Sequence, residues 1–304
     1  MTRATRRRAA FISAGLLFSA ATAHAVDGVI EINQTSALVT GFPVPIAAPG
    51  SYRLTGNLTP PVGVSAINVI APNVQIDLNG FSIMGGGGVN IPGIAGGPPG
   101  LVVHGGQITG FSGAGIVLGP ASQLFRMHIT TNGGAGVDAA VRCLIEDSEI
   151  VSNGGPGIIG DGCKIENNII QGNVAVGILS VVGNNVIVHN RIVGTNGQGI
   201  NIAASTLVSE NTISTNVKAG VICSQSCTVR GNVIESNGLE GADVGPGSNV
   251  TGNSISFNAT IGLDISTMSG FSNNTMHLNG GPEVFPAAHP TRLFDNICDG
   301  AVCP

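Results

Sequence analysis

Two aspartates in the C-terminal part of the sequence could do chemistry together. Asp243 and Asp264 are 21 residues apart, and each lies two residues after a glycine. If the chain repeats at that spacing, the two carboxylates stack on neighbouring repeats, about 5 Å apart. A pair at this distance could bind Ca²⁺ or act as the acid and the nucleophile in the hydrolysis of a sugar. The competing interpretation is a pair of solvated aspartates that tolerate mild repulsion.

Asp138 and Asn201 hold the same position in their own repeats, two residues after Gly136 and Gly199. The shared position predicts that both side chains face the same way as the aspartate pair. We therefore treat Asp138 and Asn201 as candidate ligand-binding residues.

A charged strip follows a different repeat position. His128, Glu149 and Arg191 belong to it and could form an acid–base constellation. Opposite charges alternate along the strip, which is also typical of cross-strand pairing on a solvated edge.

A repeat of about 21 residues must position these side chains. From residue 101 onward, a glycine followed by an aliphatic residue recurs every 20–22 residues, with further aliphatic residues seven and twelve positions before it. These glycines are Gly115, Gly136, Gly157, Gly177, Gly199, Gly220, Gly241 and Gly262. Because no apolar spacing of three and four residues recurs, the pattern predicts three short strands per repeat and excludes a helix pair.

Asparagine recurs at two positions between the apolar columns. The first series lies nine residues before the glycine and the second lies four before it; they include Asn168, Asn190, Asn211, Asn232 and Asn253, and Asn132, Asn153, Asn173, Asn216, Asn237 and Asn258. Asn and Gly accept left-handed backbone conformations, so both series are interpreted as corners. Stacked Asn side chains could also hydrogen-bond from coil to coil. The sequence therefore predicts an all-β parallel solenoid of roughly eleven coils.

The repeats NTISTNVKAGV and NSISFNATIGL resemble the right-handed parallel β-helix repeat of the pectate-lyase-like superfamily. The opening DGVIEINQTSALVTGFPVPIAAPGSYRLTGNL, followed by IDLNGFSI, is similar to that of secreted bacterial members. The resemblance covers most of the chain after residue 25 and implies a single-stranded, right-handed β-helix. It implies no single activity, because lyases, hydrolases, epimerases and adhesins share this fold.

The motifs of familiar polyuronide enzymes do not occur in the sequence. Gly-His-Gly and Arg-x-Lys strings of polygalacturonases are missing, as is the Asp-Pro-His-Asp string of alginate epimerases. The chain has no Trp and one Tyr, the side chains on which sugar rings usually stack, and its nearly constant turns build no cleft. We therefore expect a non-catalytic solenoid that contacts a glycan or a protein, with a polysaccharide lyase or glycoside hydrolase as the alternative.

Residues 1–25 have the layout of a cleaved bacterial signal peptide: Arg3, Arg6, Arg7 and Arg8, then an apolar stretch, then Ala-His-Ala. A membrane anchor is the competing interpretation. We expect a secreted or periplasmic protein without a transmembrane segment.

Four of the 12 basic residues lie in the signal and all 17 acidic residues follow it, so the remainder carries a formal charge of −9. An acidic surface argues against nucleic acid as a partner.

The remaining expectations concern organisation and partners. Residues 26–50 are predicted to cap the N-terminal end, residues 51–284 to form the β-helix, and residues 285–304 to form a C-terminal cap or tail. The Gly- and Pro-rich residues 85–100 are predicted to loop out of the solenoid. We expect a monomer whose partner is a polysaccharide or an envelope protein, and no cofactor unless the aspartate pair binds Ca²⁺.

Six cysteines in an exported protein suggest disulfides. Cys143 and Cys163 share a repeat position and should lie on neighbouring coils, within the Cα separation of a disulfide. Two close pairs, Cys223 with Cys227 and Cys298 with Cys303, complete three predicted local bridges. The alternatives are free buried thiols for the first pair and a metal site for the close pairs.

Overall fold

The computed structural model describes residues 28–286, 291–292 and 295–303, so the predicted signal peptide lies outside the described residues. The chain winds as a right-handed parallel β-helix, and each complete coil contributes one short segment to each of three parallel sheets. The sheet that carries the glycine repeat has 12 strands, which gives about twelve coils, close to the predicted eleven.

The three sheets are named by their order along a coil. Sheet 1 contains Val44–Ile46, Ile67–Val69, Ile94–Gly96, Ile116–Leu118, Val137–Val141, Ile158–Asp161, Ile178–Ser180, Ile200–Ala204, Val221–Gln225, Ala242–Val244, Leu263–Ile265 and Val284–Pro286. Sheet 2 contains Val29–Ile32, Gly50–Leu54, Val74–Asp77, Leu144–Glu146, Lys164–Glu166, Val186–Val188, Leu207–Ser209, Thr228–Arg230, Asn249–Thr251, Gly270–Ser272 and Thr291–Arg292. Sheet 3 contains Ser82–Met84, Glu149–Val151, Ile169–Gln171, Arg191–Val193, Thr212–Ser214, Val233–Glu235, Ser254–Ser256, Thr275–His277, Ile297–Cys298 and Ala301–Val302. Val102–Thr109 and Gln123–Thr130 run through the corner between sheets 2 and 3.

The aliphatic columns predicted from the repeat form the core. Ile192, Ile213 and Ile234 are stacked in register in sheet 3, and all three side chains are fully buried. The aliphatic residues after the repeat glycines are equally buried in sheet 1, as Ile178 and Ile200 show. Because every inward side chain lies on another from the next coil, the core is continuous along the axis.

The repeat glycines are required by the close approach of neighbouring coils. A Cβ added at Gly199 would lie 2.5 Å from Ile213 Cγ2 and 2.7 Å from the carbonyl oxygen of Gly220. The equivalent glycines meet the next coil in the same way, and none of them has a positive φ. Packing, not backbone conformation, therefore selects glycine at this position.

The asparagine series form buried hydrogen-bonded ladders, but they are not the left-handed corners. Asn211 Oδ1 accepts hydrogen bonds from the Asn190 backbone N–H and side-chain amide, at 2.8 and 3.1 Å, and Asn211 Nδ2 donates to Ile187 O at 2.9 Å. The left-handed residue is the one before each asparagine, such as His189 with φ 57° and Glu210 with φ 58°. The asparagine amide satisfies the backbone groups that the bend leaves unpaired.

A third buried polar ladder lies at the corner between sheets 1 and 2. Its members share the 20–22 residue spacing but vary in type: Ser122, Cys143, Cys163, Asn185, Thr206, Cys227, Ser248 and Ser269. Most of them accept a hydrogen bond from the backbone N–H of the preceding rung, for example Asn185 Oδ1 from Cys163 N at 2.8 Å. The left-handed residue again precedes each rung, as with Asn184 and Ser205.

The structure contains the Cys223–Cys227 and Cys298–Cys303 disulfides but not the predicted Cys143–Cys163 bridge. Both of the latter side chains are buried free thiols within the third ladder. Cys163 Sγ accepts from Cys143 N at 3.3 Å, and Cys143 Sγ lies 3.7 Å from Gly119 O. Each sulfur thus fills a hydrogen-bonding place in the ladder instead of forming a bridge.

We expect both free thiols to resist alkylation in the folded protein, because both side chains are buried and the reagent cannot reach them. After unfolding without a reductant, mass spectrometry should find two alkylated cysteines, Cys143 and Cys163. A protein that shows no reactive thiol after unfolding, with a linked Cys143–Cys163 peptide, would contradict this expectation.

Residues 85–100 do not leave the solenoid as one loop. Ile94–Gly96 is a strand of sheet 1, paired with Ile67–Val69 on one side and with Ile116–Leu118 on the other. The Ile94 side chain is fully buried in the core. The prediction was wrong for this segment because the glycines around Ile94 obscure a single inward residue in an otherwise regular coil.

The two ends of the solenoid differ. At the start, the helix Gln34–Thr40, capped by Asn33, and the first strands line a solvent-open pocket of about 830 Å³. The first strand of sheet 1, Val44–Ile46, carries a proline at its centre. At the other end, Ile297–Cys298 and Ala301–Val302 form an antiparallel hairpin, which the Cys298–Cys303 disulfide closes. Within the described ranges, no helix is long and apolar enough to cross a membrane.

Candidate functional site

Asp243 and Asp264 face outward from sheet 1 on adjacent coils. The two residues are directly in register, while the residues on either side of each, Ala242 and Val244 for example, point into the core. Parallel strands place their Cα atoms about 4.8 Å apart. The structure therefore brings together the two carboxylates that the repeat singled out.

Both carboxyls lie in a partly buried, negatively charged environment. Burial raises the pKa of Asp243, and the charges of Asp264 and Glu240 raise it further. Burial also raises the pKa of Asp264, with Glu240 as the second cause. Glu240 precedes the repeat glycine Gly241 in the turn that enters sheet 1, and sequence reasoning missed it because acidic residues do not recur at that turn position.

Phe285 extends the same outward column by one coil. It is in register with Asp264, and half of its surface is exposed. The periodic signal that could have found it is broken, since Glu283 stands where the next repeat glycine is due. An exposed aromatic ring thus lies beside the aspartate pair.

The two other predicted residues belong to this column but differ in distance from the pair. Asn201 is in register with Ile222, which in turn is in register with Asp243, so two coil steps, or about 10 Å, separate them. Asp138 lies five coil steps from Asp243, or roughly 24 Å. Only a ligand that extends along the axis can contact Asp138 and the aspartate pair together.

The charged strip of sheet 3 does not assemble into the three-residue constellation. His128 Nδ1 lies 3.0 Å from Glu149 Oε2, and both side chains are exposed. Arg191 is separated from Glu149 by the intervening Ile169. The arrangement is a hydrogen-bonded cross-strand pair on a solvated edge, which agrees with the second of the two interpretations drawn from the sequence.

The outward column of sheet 1 contains no lysine, arginine or histidine in the described part of the chain. From the first coil to the last it consists of Pro45, Asn68, Ala95, Val117, Asp138, Ile159, Leu179, Asn201, Ile222, Asp243, Asp264 and Phe285. No group of three or more His, Cys, Asp or Glu side chains among the described residues is arranged to hold a metal ion. The described part of this column therefore offers carboxylates, the two amides of Asn68 and Asn201, and apolar side chains.

The raised pKa values predict that the aspartate pair reduces stability at neutral pH. A folded carboxyl whose pKa exceeds the unfolded value binds protons more tightly than the unfolded chain, so ionisation favours unfolding. The Asp243→Asn, Asp264→Asn double variant should be more stable at pH 7, by about 1 kcal/mol after allowance for solvent screening. The gain should vanish as the pH falls below about 3.8, the unfolded value. Urea unfolding at pH 7 and at pH 3 measures the stability gain and its disappearance. A double variant that is less stable than the native protein at pH 7 would contradict the prediction.

The comparisons with known proteins identify the fold. The family model for the right-handed β-helix region matches residues 88–234. Among curated proteins, none is similar enough in sequence to be accepted as a relative.

Several solved structures superpose on most of the chain. The A-module of mannuronan C-5 epimerase AlgE4 from Azotobacter vinelandii is 15% identical, with a TM-score of 0.71, and the match covers 88% of this chain and 90% of that module. The AlgE6 A-module of the same organism is 15% identical, with a TM-score of 0.64, and the match covers 89% of this chain and 93% of that module. The catalytic unit of an α-1,3-glucanase from Streptomyces thermodiastaticus is 17% identical, with a TM-score of 0.59, and the match covers 90% of this chain and 62% of that one. Because the identities are this low, the likeness concerns the fold: the chain is a right-handed parallel β-helix protein with the pectate-lyase-like fold.

Proposed function

We propose that this protein binds a polysaccharide along the outward face of sheet 1 and does not cleave it. The observation that carries the proposal is the row formed by Asp243, Asp264 and Phe285 on three consecutive coils. Carboxylates accept hydrogen bonds from sugar hydroxyls, and an exposed aromatic ring packs against the apolar face of a sugar ring. Asn201 adds an amide two coils before the pair.

The comparisons support a glycan as the ligand, since the neighbours with this fold include a mannuronan epimerase and an α-1,3-glucanase. The acidic net charge argues against nucleic acid. We place the protein outside the cytoplasm, as the N-terminal sequence and the two disulfides suggest, and we propose that it acts as a monomer.

Binding without cleavage is favoured by what surrounds the pair. In the described part of the outward column, no histidine, lysine or tyrosine is available to transfer a proton beside the carboxylates. The neighbouring Ile222 and Phe285 are apolar and carry no group that could transfer a proton. A catalytic site requires a concave arrangement that excludes water.

Glycoside hydrolysis is the second candidate, and one observation favours it. The spacing of adjacent parallel strands places the Cα atoms of Asp243 and Asp264 about 4.8 Å apart, which is close to the roughly 5 Å carboxyl separation of retaining glycosidases, and the raised pKa of Asp243 suits a general acid. Asp243 would then be the acid and Asp264 the nucleophile.

One experiment separates the two candidates. The purified protein is incubated with a panel of soluble polysaccharides, with and without Ca²⁺, while retention on each polymer, new reducing ends and unsaturated-uronide absorbance are followed. We expect retention on at least one polymer with no new ends or absorbance. Retention should fall at least tenfold in the Asp243→Asn, Asp264→Asn variant and remain unchanged in Glu149→Gln, whose exposed side chain lies on sheet 3.

Two results would overturn binding without cleavage. New reducing ends that disappear in the double variant would establish an enzyme with its site at the pair. Absence of retention on every polymer would remove the glycan and direct attention to a protein of the cell envelope.

A further inference from the structure

We infer that the ligand of sheet 1 is an uncharged polysaccharide and not a polyuronate, an inference that rests on the proposed function. It names the chemical class of ligand that the outward column can accept.

Every charged residue in the described outward column of sheet 1 is negative. These residues are Asp138, Asp243 and Asp264, and Glu240 adds a fourth negative charge close enough to raise the pKa of both members of the pair. A polyuronate carries one carboxylate per sugar, so a chain that follows the axis would place its charges over these carboxylates. The described outward column offers no cation to offset the repulsion between the two sets of carboxylates.

A neutral sugar chain meets the same groups favourably. Ionised carboxylates only accept hydrogen bonds, and hydroxyl groups are the donors that a neutral sugar supplies in greatest number. Hydrogen bonds to a charged acceptor are shorter and stronger than those between neutral groups. The Asn201 amide can both donate and accept, which suits a hydroxyl that does the same.

The apolar members of the column complete the match. Phe285 exposes half of its surface one coil beyond Asp264, and Ile222 lies one coil before Asp243. The C–H face of a sugar ring can pack on such groups, while its edge hydroxyls reach the carboxylates between them. The pair is thus flanked along the axis by apolar surface, which strengthens its hydrogen bonds by reducing the local dielectric constant.

The test compares uncharged with anionic polymers on the same protein. Retention of the whole protein is measured on dextran and on a soluble β-1,3-glucan as neutral probes, and on alginate and polygalacturonate as anionic probes. Each retention measurement is made at low salt and at about 0.5 M NaCl, a concentration at which interactions between exposed charges are largely screened. Both salt conditions are tested with and without Ca²⁺. We expect retention on a neutral polymer that changes less than twofold with salt, and none on the anionic polymers.

Removing the aspartate pair should change retention on neutral and on anionic polymers in opposite directions. Asp243→Asn with Asp264→Asn should weaken retention on the neutral polymer at least tenfold and increase any residual retention on the anionic polymers, because it removes both the acceptors and the repulsion. Phe285→Ala should weaken neutral retention severalfold without changing anionic retention. Glu149→Gln on sheet 3 is the matched control and should change neither.

Each remaining outcome decides against the inference in a distinguishable way. Stronger retention on an anionic polymer than on the neutral probes, with or without Ca²⁺, would overturn the uncharged class and leave glycan binding intact. Retention that needs Ca²⁺ would show a cation bridging the pair to a polyuronate. No retention on any of the four polymers would overturn the inference together with the proposed function.

Discussion

An Ile213→Asp variant is expected to lose more than about 4 kcal/mol of stability and to fail to fold cooperatively. Ile213 is fully buried in sheet 3, between Ile192 of the preceding coil and Ile234 of the next. The substitution places a carboxylate in an apolar column that contains no partner for it. Urea unfolding followed by circular dichroism measures the effect.

Thr212→Asp is the matched control, since it makes nearly the same change one residue away. Thr212 faces outward in the same strand and is exposed, so its variant should stay within about 0.5 kcal/mol of the native protein. Equal unfolding midpoints for the two variants would contradict the inward and outward assignment of sheet 3.

A Gly199→Ala variant is expected to lose about 3 kcal/mol, although it adds a single methyl group. The added Cβ would lie 2.5 Å from Ile213 Cγ2, 2.7 Å from Gly220 O and 2.9 Å from Asn216 Nδ2. One of these groups belongs to the backbone of the next coil, so the clash cannot be relieved by rotating a side chain. The coils must separate locally, which weakens sheet 1 and the Asn216 ladder together.

Gly97→Ala provides the control for the change from glycine to alanine. Gly97 has no positive φ, and a Cβ there would meet nothing within 4 Å. Its variant should unfold within about 0.5 kcal/mol of the native protein, or slightly above it, because alanine restricts the unfolded chain. If the two glycine variants lost equal stability, coil spacing would not be the reason for the repeat glycines.

The repeat made the core and the first candidate site predictable. Equal spacing in sequence becomes stacking in a solenoid, so Asp243 and Asp264 could be placed together from their positions after Gly241 and Gly262. The same reasoning placed Ile192 over Ile213. Both predictions depend on residue types that recur, and the structure confirms the fold that they imply.

Features without a recurring residue type were not predictable in this way. The left-handed residues are as varied as Arg126, Glu210 and Phe257. The corner constrains only their backbone conformation, because their side chains are exposed to solvent. Asparagine was assigned to those corners because it tolerates positive φ, whereas its amide acts one residue later as a ladder rung. Types vary in the third ladder too, since any small group that accepts a hydrogen bond can fill a rung.

The end of the repeat hid part of the candidate site. Phe285 completes the row beside Asp264, but Glu283 replaces the glycine that would have marked its coil. For Cys143 and Cys163, the repeat was regular but position alone did not determine the bonding. Their equivalent positions established proximity correctly but did not show that hydrogen bonds within the ladder occupy both sulfurs.

The unlike ends of the solenoid have a consequence for self-assembly. A stack of parallel coils is a template on which another chain could add strands and grow into a fibre. At the C-terminal end, the hairpin of Ile297–Cys298 with Ala301–Val302 reverses the strand direction, and its disulfide holds that reversal in place. At the N-terminal end, Val44 and Ile46 direct their hydrogen bonds toward the next coil, and Pro45 between them has no N–H to offer an incoming strand. Within the described residues, the C-terminal hairpin and Pro45 therefore each oppose the addition of further strands, to sheet 3 and to sheet 1 respectively.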